Sequence, residues 1–142
     1  NMENRLKNLG YNYTIFRLSK VVSKRITFFN EIIKKIKKGK PFRMYSNYYF
    51  SPISLKYLIK NILNVSKNGT FHLSNRDSLS YFDFSKIILK KMCKDNINII
   101  KDKKISKPNF PSPKLKMLLT SNQLKIKPQN IDETIRDFLY EK

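Results

Sequence analysis

A guanidinium, a hydroxyl and an ammonium group fall within four positions at Arg17, Ser19 and Lys20. They lie in the run from Tyr13 to Val22, where aromatic and β-branched residues alternate with polar ones, a pattern that favours a buried strand. In an open α/β sheet ligands bind at the carboxyl ends of strands, so the Arg17 to Lys20 end is where this chain would support chemistry. Other chemistries are excluded by inventory. One histidine and one cysteine, His72 and Cys93, supply neither a zinc site nor a disulfide, and no serine–histidine pairing is credible. His72 stands inside the apolar stretch Thr70 to Ser74 and reads as a packed side chain. The three glycines, Gly10, Gly39 and Gly69, are isolated, so no glycine-rich phosphate loop exists.

The elements that must position these groups alternate between strand and helix. Glu3 to Leu9 reads as the last turns of a helix stopped by Gly10. One strand is expected over Tyr13 to Val22, then a helix over Ile26 to Lys38 with Ile26, Phe29, Ile32, Ile33 and Ile36 on one face. Phe42 to Tyr45 predicts a short strand, and Tyr48 to Ile53 an irregular aromatic segment. Pro52 is expected to open a helix reaching Val65, burying Leu55, Leu58, Ile59, Ile62 and Leu63. Thr70 to Ser74 predicts a second buried strand, parallel to the first. Ser80 caps a helix through Met92 that packs Phe84, Ile87 and Ile88. Ile97 to Ile100 predicts a strand, and Lys107 to Pro113, with three prolines in seven residues, a loop. Asn130 and Glu133 form a capping box for a last helix with Ile131, Ile135, Phe138 and Leu139 facing inward.

Composition sets the outer bounds. At 142 residues the chain can bury one substantial core, and no run of apolar residues is long enough to span a membrane. The lone cysteine and the absence of an apolar leader in Asn1 to Asn8 fit a reduced, cytoplasmic setting. A formal charge of +20 invites a nucleic-acid reading. Against it, the chain has no alanine, few glycines and an excess of Lys, Asn and Ile, the signature of AT-rich codons. Arginine, the better bidentate reader of phosphate, is scarce, and the lysines are spread through nearly every segment.

The segments Ile15 to Val22, Phe50-Ser51-Pro52-Ile53, Gly69 to Ser74, Ser80 to Phe84, and Lys107-Pro108 with the later Leu124 occur in an order that resembles the extended short-chain dehydrogenase/reductases, in particular the dTDP-4-dehydrorhamnose reductases. The resemblance implies an α/β fold: the C-terminal part of a Rossmann-type doubly wound sheet plus a small mixed α/β substrate-binding lobe. Residues 1–142 would form a single unit, the C-terminal half of such an enzyme, with the N-terminal dinucleotide-binding half upstream. Glu3 matches a glutamate that follows the family's Tyr-x-x-x-Lys pair, which therefore falls before Asn1, leaving no catalytic residue in this chain. The family's cofactor is NAD or NADP and its substrate a nucleotide sugar. By the same resemblance Leu18 and Ser19 lie near the nicotinamide, Lys20 and Val21 at the substrate mouth, Asn47 and Tyr48 along the sugar pocket, and Lys107 against a diphosphate. Lys20 stands where the reductases carry tryptophan, Val22-Ser23 replaces tyrosine-glycine, and Phe50 replaces a glycine, so epimerisation and other sugars stay open. A homodimer is a candidate assembly at full length. The competing classes are a basic nucleic-acid-binding domain and a nucleotide-sugar-binding regulatory subunit without catalysis.

Overall fold

The computed structural model describes residues 2–10, 12–65, 68–103 and 126–141. Lys107 and Leu124 lie outside the described residues. The element order is α1 (Met2–Asn8), β1 (Thr14–Leu18), β2 (Lys20–Val22), α2 (Thr27–Lys37), β3 (Phe42–Tyr45), β4 (Tyr49–Phe50), β5 (Pro52–Ser54), α3 (Leu55–Leu63), β6 (Gly69–Leu73), β7 (Leu79–Ser80), α4 (Tyr81–Lys91), β8 (Ile99–Asp102) and α5 (Ile131–Leu139). Three parallel pairs, β1–β6, β2–β5 and β3–β8, and one antiparallel pair, β4–β7, make the mixed α/β architecture expected from the sequence.

The strand expected over Tyr13 to Val22 is two strands. It breaks at Ser19, where pairing is handed from β6 (Leu18↔Leu73) to β5 (Lys20↔Pro52). Pro52 does not open a helix either. Ser54 is the better cap, accepting from the Tyr57 amide at 3.1 Å, and Pro52 sits at the start of β5, where its missing N–H is tolerated. The segment called irregular contains β4, paired through Tyr49↔Ser80 and Phe50↔Leu79. Ile97 packs as core just before β8, so that strand runs two residues later than its apolar pattern suggests. Asn130 and Glu133 complete the capping box of α5, with the Glu133 amide donating to Asn130 Oδ1 at 2.8 Å and the Asn130 amide to Glu133 Oε2 at 3.1 Å.

The main core gathers α2, α4 and α5 around aromatic rings. Phe29 meets Phe84 and Phe138 edge-on at 5.8 and 6.1 Å, and all three are almost fully buried. A smaller cluster of Ile53, Leu58 and Leu73 packs with Phe16, Leu18 and Val21 beneath the β1–β2 junction. Helix α3 departs from expectation: Leu58 is buried, whereas Ile59, Ile62 and Leu63 are 48, 40 and 78% exposed.

Buried polar side chains tie the last helix to the sheet. Asn75 Nδ2 donates to the Pro52 carbonyl at 2.8 Å and to Thr134 Oγ1 at 2.9 Å. Gln129 Nε2 donates to Ser54 Oγ at 3.0 Å and to Asp137 Oδ2 at 2.9 Å, while its Oε1 accepts from the Ser54 amide at 2.9 Å. At the far end, Glu141 accepts from Ser23 Oγ at 2.7 Å and from the Lys24 amide at 2.8 Å.

Candidate functional site

The parallel strands β1 and β6 run side by side to Leu18 and Leu73, and the site residues begin where they end. Leu18 is half-buried against the Ile53–Leu58–Leu73 cluster, as is Val21. Ser19 holds the turn between strands. Its amide donates to the Leu73 carbonyl at 3.1 Å, and its hydroxyl donates to the Ser51 carbonyl at 2.5 Å. Lys20 is exposed, with its amide 3.4 Å from the same Ser51 carbonyl. The structure therefore brings Leu18 to Val21 against Ser51 to Ile53.

The three polar groups that open the sequence argument have different fates. Arg17 is engaged by Glu3 of α1 in a two-pronged ion pair, Nε to Oε1 at 3.1 Å and Nη2 to Oε2 at 2.5 Å. That contact holds the Glu3 carboxyl below its usual range and raises the guanidinium further. Ser19 spends its proton inside the chain. Of the three charged or polar groups, Lys20 alone makes no side-chain hydrogen bond or ion pair among the described residues.

Asn47 and Tyr48 are half-buried between β3 and β4, three residues of chain from Ser51. The Tyr48 carbonyl accepts from the Tyr81 amide at 3.2 Å, and its ring stacks on that of Tyr81, centroids 5.6 Å apart and planes within 8°. Phe50 stacks on the same ring at 4.2 Å. Burial in this aromatic cluster pushes the Tyr81 hydroxyl up to about 12. Tyr48 is thus anchored by β4–β7 pairing and ring stacking, which fixes its ring in place.

Two features of the junction were missed by sequence reasoning. A cavity of about 380 Å³ opens at the carboxyl ends of β2 and β5, lined by Val22, Ser54, Lys56, Asp137 and Glu141 among others. Asn75, Gln129 and Asp137 brace that end from a loop, from just before α5 and from within it, a grouping that emerges only once the fold closes. The Ser51 hydroxyl, 1% exposed, and His72 Nδ1 on β6 have no hydrogen-bond partner among the described residues, as has Thr70 Oγ1. The packed histidine expected at position 72 is therefore half-buried with one ring nitrogen unsatisfied. Of these three buried atoms only the Ser51 hydroxyl stands at the β1–β2 junction, for Thr70 and His72 pair with Ile15 and Arg17 further back along β1. The three isolated glycines form no glycine-rich loop of the kind that cradles a dinucleotide's pyrophosphate. Among the described residues no cluster of His, Cys, Asp or Glu could hold a metal ion, and no helix is long and apolar enough to cross a membrane.

The model of the RmlD substrate binding domain matches residues 1–141. The chain belongs to this family. No curated protein sequence matches it. Among solved structures, dTDP-4-dehydrorhamnose reductase from Bacillus anthracis, solved in complex with NADP, is similar at 22% identity over 99% of this chain and 52% of its own, with a TM-score of 0.77. A dTDP-4-dehydrorhamnose reductase from Clostridium acetobutylicum matches at 20% identity over 96% of this chain and 51% of its own, TM-score 0.75. The UDP-N-acetylglucosamine 4-epimerase of Methanobrevibacter ruminantium, solved with UDP-N-acetylmuramic acid, matches at 17% identity over 99 and 50%, TM-score 0.65. This member of the RmlD substrate-binding family thus shares the Rossmann-like reductase and epimerase fold, and it spans about half the length of those structures.

Proposed function

We propose that this chain is the substrate-binding half of an NAD(P)-dependent nucleotide-sugar reductase or epimerase of the dTDP-4-dehydrorhamnose reductase kind. The family match across residues 1–141 carries the reading. The geometry supports it: parallel strands deliver Leu18 to Val21 and, from the facing strand, Ser51 to Ile53 to one sheet end, the position where α/β folds bind ligands. Residues 1–142 act as one unit, completed by a dinucleotide-binding half that carries the pyrophosphate loop and the catalytic tyrosine and lysine.

When bound, NAD or NADP supplies hydride transfer. This chain's own part is orientation and exclusion of water. Leu18 and Val21 present an apolar wall; Ser19 meets the nicotinamide end; Lys20 offers an exposed ammonium to the sugar nucleotide as a point charge. Asn47 and Tyr48 line the sugar, and Lys107 meets the diphosphate. The full-length enzyme works in the cytoplasm, as a homodimer.

The test is direct. The full-length gene product, given NADH or NADPH and a dTDP-linked 4-keto sugar, consumes the reduced nicotinamide, or interconverts a UDP-sugar if it is an epimerase. The 142-residue chain alone does neither. Turnover by the isolated chain, or none by the full-length protein with either sugar class, would overturn the proposal.

A further inference from the structure

We infer that Gln129 is a positioning residue for the nucleotide-sugar side of the site: its side-chain amide takes the place of a strand along the open edge of β5. The inference rests on the functional reading above, which puts Lys20 and Val21 of β2 at the substrate mouth, and adds what holds them there.

Along a strand, successive residues turn their backbone groups to opposite edges. Ser51 turns its carbonyl toward β2, where it meets the Ser19 hydroxyl and the Lys20 amide. Pro52 and Ser54 therefore face the other edge of β5, and no strand pairs there among the described residues. Backbone groups left unpaired away from water are destabilising. Pro52 lessens the demand by lacking an N–H. What remains is the Pro52 carbonyl and the Ser54 amide, and side chains meet both. Asn75 Nδ2 donates to the carbonyl at 2.8 Å, and Gln129 Oε1 accepts from the amide at 2.9 Å.

Gln129 is 4% exposed, and its amide is fully engaged. Nε2 donates to Ser54 Oγ at 3.0 Å and to Asp137 Oδ2 at 2.9 Å, and Oε1 also lies 2.9 Å from Thr134 Oγ1. A backbone amide only donates and a carboxylate only accepts, so Ser54 and Asp137 together allow the side chain one orientation. Through these partners Gln129 ties β5 to α5. Its backbone carbonyl accepts from the Arg76 amide at 2.9 Å and fastens the loop after β6 as well. None of these bonds reaches β1 or β6. The site thus has two separate supports. Leu18 rides on a ladder of five residue pairs between β1 and β6. Lys20 and Val21 ride on three pairs between β2 and β5, and the far edge of β5 is held by side chains. Loosening that edge moves Lys20 and Val21 and leaves Leu18 in place.

The experiment uses the full-length protein as parent, Gln129→Met and Ile88→Val. KM and kcat are measured for whichever sugar the parent turns over, dTDP-linked or UDP-linked, and the Kd of NADH or NADPH by titration. Ile88→Val trims the main core on α4, away from the Ile53 cluster, and controls for lost stability. In Gln129→Met, KM for the nucleotide sugar rises on the order of 10-fold, kcat falls less, and the dinucleotide Kd stays at the parent's value. Ile88→Val keeps the parent's KM. Equal weakening of both ligands, an unchanged KM in Gln129→Met, or the same rise in Ile88→Val overturns the inference, while turnover by the parent keeps the functional reading. If Gln129→Met fails to fold, Thr134→Val and Thr134→Ser decide. Removing that hydroxyl raises KM and retaining it does not; two parental values overturn the inference. A parent that turns over neither sugar class overturns the functional reading, and this inference with it.

Discussion

Tyr81 shows how much a single side chain can report. Its ring is stacked on by Tyr48 and Phe50 and met edge-on by Phe28 at 5.2 Å, and the phenol is held neutral up to about 12. A raised acid favours the folded state while it stays protonated, so this contribution is complete below the ordinary tyrosine value of 10.0 and is lost as the pH climbs toward about 12. Absorbance titration of phenolate is expected to show one of the eight tyrosines ionising last, and Tyr81→Phe to delete that step while leaving the stack in place. Asn75 is the other residue whose removal is diagnostic. It is fully buried, donates to the Pro52 carbonyl and Thr134 hydroxyl and accepts from the Asp77 amide, so Asn75→Leu removes three hydrogen bonds at once and is expected to cost about 2–4 kcal/mol in urea unfolding. A loss under about 0.5 kcal/mol, the level of an ordinary surface change, would show that the network is slack.

At the scale of elements, α2 is secured by Phe29 and α1 by an ion pair. Truncating Phe29, 0% exposed among Phe50, Phe84 and Phe138, is expected to cost about 3–5 kcal/mol, checked by the same denaturation. Glu3→Gln works locally instead: amide exchange in α1 quickens, with global stability little changed, because the pair is exposed to solvent. The Glu3 carboxyl is lowered by Arg17, so the tether is complete above its ordinary value of 4.5 and is lost as the pH falls below it. Helices α4 and α5 were legible because their apolar spacing and their Ser80 and Asn130 caps agree with what buries them, and α2, which has no side-chain cap, by spacing alone. The break at Ser19 was not, since two short strands sharing one alternation read as a single long one; only the choice of partner separates them. Helix α3 misled in the opposite sense. Its apolar residues recur with helical period, yet Ile59, Ile62 and Leu63 face outward in this chain. Of the site, the Leu18 to Val21 stretch was visible as a basic strand end, while Ser51's carbonyl, a backbone group, leaves no mark in a sequence.

Over the whole molecule, the +20 charge is the feature most open to misreading. Phe29, Phe71 and Phe84 are at most 3% exposed and cannot stack on bases, which leaves that role to the exposed Phe28, Tyr45, Tyr49 and Tyr140. Retention on heparin is expected at low ionic strength and to vanish near about 0.15 M salt, where screening acts over about 8 Å. Persistent binding with a steep salt slope and tyrosine quenching would restore the nucleic-acid reading.

The bond between Ser23 and Glu141 also has a temporal side. Its partners are 118 positions apart in the chain. At translation speeds of about 5–20 residues per second, the turn after β2 is made roughly 6–24 s before the carboxylate that fastens it. The strand carrying Lys20 and Val21 can therefore pair with β5 long before the carboxylate that fastens the turn after it has been made.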